Sequence, residues 1–192
     1  MIRVIAPEVF VVPGLVSADE CRAWIAHGEA LGFVEASVLT RQGRQMRTDI
    51  RNNDRVAWNA PELAAELWPR CQPYLPDPFE GGVPVGLDAA FRFYRYDVGQ
   101  QFKRHRDGVV HRTPSEFSRF TVLFYLNDDF TGGETVFHDE AVVDGQRAEY
   151  IVIPRRGDAL FFRHDWWHEG KPLVAGRKYV LRTDAFYRFP TA

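Results

Sequence analysis

The sequence predicts a mainly β chain with flanking helices, folded as a two-sheet jelly roll or a related barrel. Three observations lead there. From about Gly86 onward, short runs of Phe, Tyr, Val and Leu alternate with Gly, Asn, Asp and Pro clusters, the texture of strands joined by turns. Helical patterns fall only before that point. With 192 residues, 45% of them apolar and 14% aromatic, the chain can bury a large core without staples, so one domain over 1–192 is expected. Its helical and loop part covers 1–87 and its β core 88–188.

In chain order, the short apolar run Val9–Val12 ends at a Pro13-Gly14 turn. Ser17 with Glu20 three residues later is a capping-box pattern, which opens a helix over about 18–30. Residues 41–57, RQGRQMRTDIRNNDRVA, are polar, arginine-rich and turn-prone, and read as a long loop, either a functional lid or a mobile connection. A second helix is expected from Pro61 through Trp68, with Pro69 ending or kinking it. Strands are then expected at Ala89–Tyr96, Gln101–His105, Phe120–Leu126, Glu134–His138, Ala148–Ile153, Ala159–Arg163, Trp167–Lys171 and Lys178–Tyr187. The N-terminal helices should pack on the outside of one sheet.

Composition excludes several classes. Twenty-four basic and 26 acidic residues leave a net charge of −2, which offers no global field for nucleic acid or an anionic membrane. Cys21 and Cys71 are 50 positions apart without a Cys-x-x-Cys spacing, which argues against a disulfide scaffold and a thiolate zinc site. No stretch reaches the length of a spanning helix, and the interrupted N-terminal apolar run lacks the pattern of a signal peptide. A cytoplasmic protein is the expectation; oligomeric state is left open.

The chemistry-bearing signal is His105-Arg106-Asp107. In an extended strand residues i and i+2 share a face, so this imidazole and carboxylate can converge on one ion. His168, 63 residues downstream on an expected late strand, can complete the set. Two histidines and a carboxylate on one face of a six-coordinate ion leave three positions open, as in non-haem Fe(II) oxygenases.

Four ordered motifs surround these residues: YDVGQQFKRHRD over 96–107, TVLFYLNDDFTGGETVF over 121–137, PRRGDALFF over 154–162, and HEGKPLVAGRKYVLRTDAFY from His168. Together they resemble the Fe(II)/2-oxoglutarate-dependent dioxygenases, and within them the prolyl 4-hydroxylase-like group, over about half the chain. The resemblance implies a double-stranded β-helix (jelly roll, cupin-like) core, with Fe(II) as cofactor and 2-oxoglutarate and O2 as co-substrates. It implies iron held by His105, Asp107 and His168, with Lys178 paired to the C5 carboxylate of 2-oxoglutarate. Asp107, which halogenating relatives lack, favours hydroxylation.

Alternation puts Lys178 and Arg182 on one strand face and Arg177 on the other. Arg182 then meets either the C1 end of the co-substrate or an ion pair with Asp184 or Asp107, and a swap of roles with Lys178 stays open. Tyr96 resembles the tyrosine whose hydroxyl bonds the co-substrate, or it packs; Tyr94 shares its face. Phe102 stands where relatives often carry tyrosine. Arg47, Arg51, Asn53 and Arg55 in the polar loop either meet the hydroxylated substrate, a prolyl peptide or a small molecule, or face solvent. The alternative is a non-catalytic cupin-like sensor that binds metal or carboxylate without turnover.

Overall fold

The computed structural model describes residues 1–36, 38–40, 43–45, 50–143 and 146–190. Both expected helices form. Ala18–Leu31 begins at the capping box, where the Glu20 amide donates to the Ser17 hydroxyl at 3.2 Å and the Ser17 amide to the Glu20 carboxylate at 2.6 Å. These bonds satisfy N–H groups that a helix start leaves without internal partners. Pro61 opens the second helix, which continues through Pro69 to Cys71. The proline lies in the last turn, so it removes one hydrogen bond while buried Leu67 and Cys71 keep that turn anchored. Among the described residues, no helix is long and apolar enough to cross a membrane.

All eight expected strands are present, two of them longer than the sequence pattern shows: Glu116–Tyr125 and Thr135–Val143. The larger sheet runs Arg3–Ala6, Val9–Val12, Ala159–Arg163, Glu116–Tyr125, Lys178–Arg188, Ala90–Tyr96, Asp54–Asn59, Val34–Glu35. The smaller sheet runs Gln146–Val152, Thr135–Val143, Trp167–Gly170, Phe102–His105. Neighbours in both sheets are antiparallel.

The polar loop expected over 41–57 needs correction. Asp54–Asn59 is a strand paired along its length with Ala90–Tyr96, and Trp58 stacks on Phe93 at 5.7 Å. Val56 and Trp58 supply an alternation that the arginine-rich residues before them mask.

Alternation divides the larger sheet into two chemically distinct faces. On one, Phe93, Phe124, Phe161 and Leu181 pack beneath the helices, with Trp24 edge-on to Phe124 at 6.0 Å. On the other, Tyr94, Tyr125, Phe162 and Val180 meet Phe137 of the smaller sheet. That inner face also carries buried Lys178, Arg182 and Asp184. Charged groups between two sheets mark a site rather than a core, since burying them costs several kcal/mol unless they are matched.

Candidate active site

His105 and His168 face each other directly across the pairing of Phe102–His105 with Trp167–Gly170, their ring centroids 4.2 Å apart. In a regular strand Phe102 and His105, three positions apart, would take opposite faces. The register of this pairing shifts between them, and Phe102 stacks on the His105 ring at 3.5 Å. Asp107 lies just past the strand, and its amide donates to the His164 carbonyl at 3.1 Å. The carboxylate therefore reaches the imidazoles from the strand's exit and not from a shared strand face. One donor atom from each of His105, Asp107 and His168 lies within 4.8 Å of the other two.

Main-chain carbonyls orient both rings. Nδ1 of His105 lies 2.8 Å from the Lys103 oxygen and Nδ1 of His168 lies 2.9 Å from the Trp166 oxygen. A carbonyl only accepts, so each Nδ1 carries its proton and each Nε2 presents a lone pair. Those Nε2 atoms lie 3.9 and 3.8 Å from the two Asp107 oxygens. Burial pushes the His105 imidazole down to about 3, with His168 adding to the effect, and burial likewise lowers His168. Burial alone would raise the Asp107 carboxyl, but Arg182 and the neighbouring histidines hold it well below the usual carboxylate range. Two neutral imidazoles and one carboxylate at neutral pH are a donor set that fits a divalent first-row metal.

A cavity opens beside these groups, lined by Tyr94, Tyr96, Tyr125, Thr135 and Lys178 among others. Lys178 donates from Nζ to the Gly133 carbonyl at 2.5 Å and has the Tyr96 and Tyr125 rings 5.3 and 5.6 Å away. Burial pushes its ammonium down to about 7, with Glu134 pulling weakly the other way. Gly133 is at φ +67°, and a Cβ there would lie 3.0 Å from Leu173 and 3.3 Å from the Lys178 stem. The Gly-Gly turn thus lets the main chain approach the lysine closely. Arg177 is exposed on the opposite face, paired with Asp97 at 2.5 Å.

Arg182 lines the cavity, but its guanidinium is bound by carboxylates, Asp107 at 2.8 Å and Asp184 at 3.0 Å. Thr121 donates to the other Asp107 oxygen at 2.6 Å. Thr121 is a site residue that sequence reading missed; its alternation with Leu123 and Tyr125 was the available signal. Tyr94 and Tyr96 are both buried in the cavity wall, and burial pushes the Tyr96 phenol up to about 12. Of the four residues considered for substrate contact, Arg47 lies outside the described residues. Arg51 and Asn53 are buried, and Arg55 sits half-buried on the strand Asp54–Asn59. Asn127 clasps its turn, donating to Asp129 at 2.7 Å and accepting the Tyr179 amide at 2.8 Å.

With that geometry in view, similarity to known proteins is informative. Residues 91–183 match the 2OG-Fe(II) oxygenase superfamily. A probable prolyl 4-hydroxylase 7 from Arabidopsis thaliana is 28% identical over 207 residues, an alignment covering 90% of this chain and 60% of the relative. The chain therefore spans about three fifths of that relative's length. A prolyl hydroxylase from Trichoplax adhaerens, solved with a peptide fragment of hypoxia inducible factor, superposes with a TM-score of 0.68 at 18% identity. That match covers 93% of this chain and 83% of the other. The viral collagen prolyl hydroxylase of Paramecium Bursaria Chlorella virus-1, solved with 2-oxoglutarate, gives 0.63 at 19% identity, covering 93% and 96%. These solved structures establish the fold, a double-stranded β-helix. The motif order, the sheet arrangement and the matched segment agree: residues 91–183 are similar to the 2OG-Fe(II) oxygenase superfamily, and a curated relative that matches over most of this chain is a probable prolyl 4-hydroxylase.

Proposed function

We propose that this protein is an Fe(II)- and 2-oxoglutarate-dependent oxygenase that hydroxylates a second substrate, a peptidyl proline or a small molecule. One observation carries the reading: a His, Asp, His donor set and a buried, carboxylate-free lysine line the same cavity. His105, Asp107 and His168 are the residues that would hold the metal. Lys178 would bind the distal carboxylate of 2-oxoglutarate, since among the described residues this buried ammonium meets the Gly133 carbonyl and two aromatic rings but no ion-pairing carboxylate. Fe(II) bound there would supply the redox chemistry, converting 2-oxoglutarate and O2 to succinate and CO2 while a C–H bond of the second substrate is oxidised.

The chain's own residues do the positioning. The Lys103 and Trp166 carbonyls fix the two imidazoles, and Arg182 and Thr121 fix the Asp107 carboxylate. Arg182, occupied by two carboxylates, supports that ligand in preference to the co-substrate. Tyr94 and Tyr96 wall the cavity with buried phenols. The named activity of the relatives supports a prolyl substrate.

The test is anaerobic loading with Fe(II) and 2-oxoglutarate followed by admission of O2. Succinate formation is expected, and Asp107→Ala or His105→Ala should lose both succinate formation and Fe(II) binding. Tight iron binding without succinate would instead support a metal-holding sensor.

A further inference from the structure

Two buried cations have no carboxylate against them among the described residues: Lys178, which lines the cavity, and Arg51, which packs against the Tyr94 and Phe102 rings of its wall. Arg182 does not belong with them, because Asp107 and Asp184 neutralise it. On the oxygenase reading, which this inference takes as its basis, the diacid co-substrate accounts for Lys178. Arg51 is left over.

Its placement is specific. Residues 50–52 lie along the Phe102 strand: the Lys103 amide donates to the Ile50 carbonyl at 2.9 Å, and the Gln101 amide to the Asn52 side chain at 2.7 Å. Immediately afterwards Asp54–Asn59 joins the larger sheet. This segment therefore ties the two sheets together, and Arg51 sits where they meet, its guanidinium 4.3 Å from the Tyr94 ring centre and 4.4 Å from that of Phe102. Both rings line the cavity, and Phe102 is itself stacked on His105. Nε donates to Asn53 at 2.6 Å, while Nη2 is fully buried with no hydrogen-bond partner among the described residues.

We infer that Arg51 anchors the second substrate, and that this substrate carries a carboxylate close to the carbon that is oxidised. The aromatic contacts cover faces of the guanidinium and leave its edge, where planar N–H donors match a carboxylate. A peptide carbonyl would satisfy one N–H and leave a buried charge unmatched. Because the Phe102 ring contacts both the Arg51 guanidinium and the His105 ring, the carboxylate and the reacting carbon belong to one small unit. The class is a free amino or imino acid, or the C-terminal residue of a peptide; an internal prolyl residue lacks the charge.

The experiment titrates the anaerobic Fe(II) and 2-oxoglutarate complex with L-proline, L-pipecolate and other free amino acids, each paired with its carboxamide. Binding is read calorimetrically and by the change in the complex's visible absorption. Expected is an acid that binds while its amide binds at least roughly tenfold more weakly, as loss of a charge-assisted bond implies. Arg51→Gln should erase that difference, and Arg51→Lys, which keeps the charge, should retain part of it. Amides binding as well as acids, no acid binding at all, or a preference unchanged in Arg51→Gln overturns the assignment. Succinate formation by the unaltered protein on admission of O2 tests the oxygenase reading separately, so the two failures are distinguishable.

Discussion

Lys178 shows how much of a residue's chemistry depends on its surroundings. Its strand position puts it on the inner face beside Arg182, and its spacing from His168 was visible in the sequence. Its isolation was not, because the Gly133 carbonyl and the Tyr96 and Tyr125 rings come from distant parts of the chain. Burial lowers the ammonium from its ordinary 10.5 to about 7. Between those values the unfolded chain binds more protons than the native one, so without ligand this group makes stability rise with pH across that window. A diacid bound at Lys178 restores the charged form. Binding of 2-oxoglutarate at pH 8.5 should therefore take up protons, seen as a calorimetric enthalpy that depends on the ionisation enthalpy of the buffer. Lys178→Arg should bind without that uptake, since a guanidinium stays charged; equal uptake in both proteins would place the titrating group elsewhere. Lys178→Met should raise the KM for 2-oxoglutarate roughly tenfold or more, because losing one partner of a buried charge pair costs about 2–5 kcal/mol.

At the scale of elements, regular segments were legible and irregular ones were not. The eight core strands announce themselves by runs of aromatic and β-branched residues between turn signals, and the first helix by Ser17 and Glu20. Three features escaped. Pro69 is tolerated because it falls in a last turn held by buried neighbours; Asp54–Asn59 carries too few apolar residues to stand out from the polar stretch before it. The register shift that turns both Phe102 and His105 inward depends on the partner strand, which no local pattern specifies. The Gly-Gly turn at 132–133 was legible as a motif, and the structure gives its reason. A Gly133→Ala substitution would force a side chain into left-handed backbone and against Leu173 and the Lys178 stem. It should cost about 1–2 kcal/mol of stability, with a raised 2-oxoglutarate KM from displacement of the lysine. A lowered melting temperature with unchanged KM would confine the turn to a structural role.

On the scale of the whole molecule, the three candidate ligands belong to the smaller sheet and its exit, whereas Thr121 and Arg182, which hold Asp107, belong to the larger one. The site therefore lies on the seam between sheets, and an ion bound there links their stabilities. A ligand that binds only the native state stabilises it by about 2.7 kcal/mol at a hundredfold excess over its dissociation constant. For a domain of this size that is a rise in melting temperature of roughly 5–10 °C. Mn(II), a redox-inert stand-in for Fe(II), should produce that shift in a concentration-dependent way, EDTA should reverse it, and added 2-oxoglutarate should extend it. Asp107→Ala should melt at a temperature that no longer responds to Mn(II). Should that variant keep the full shift, the ion would be binding elsewhere, and the proposed grouping of His105, Asp107 and His168 as one metal centre would fail at its most direct point.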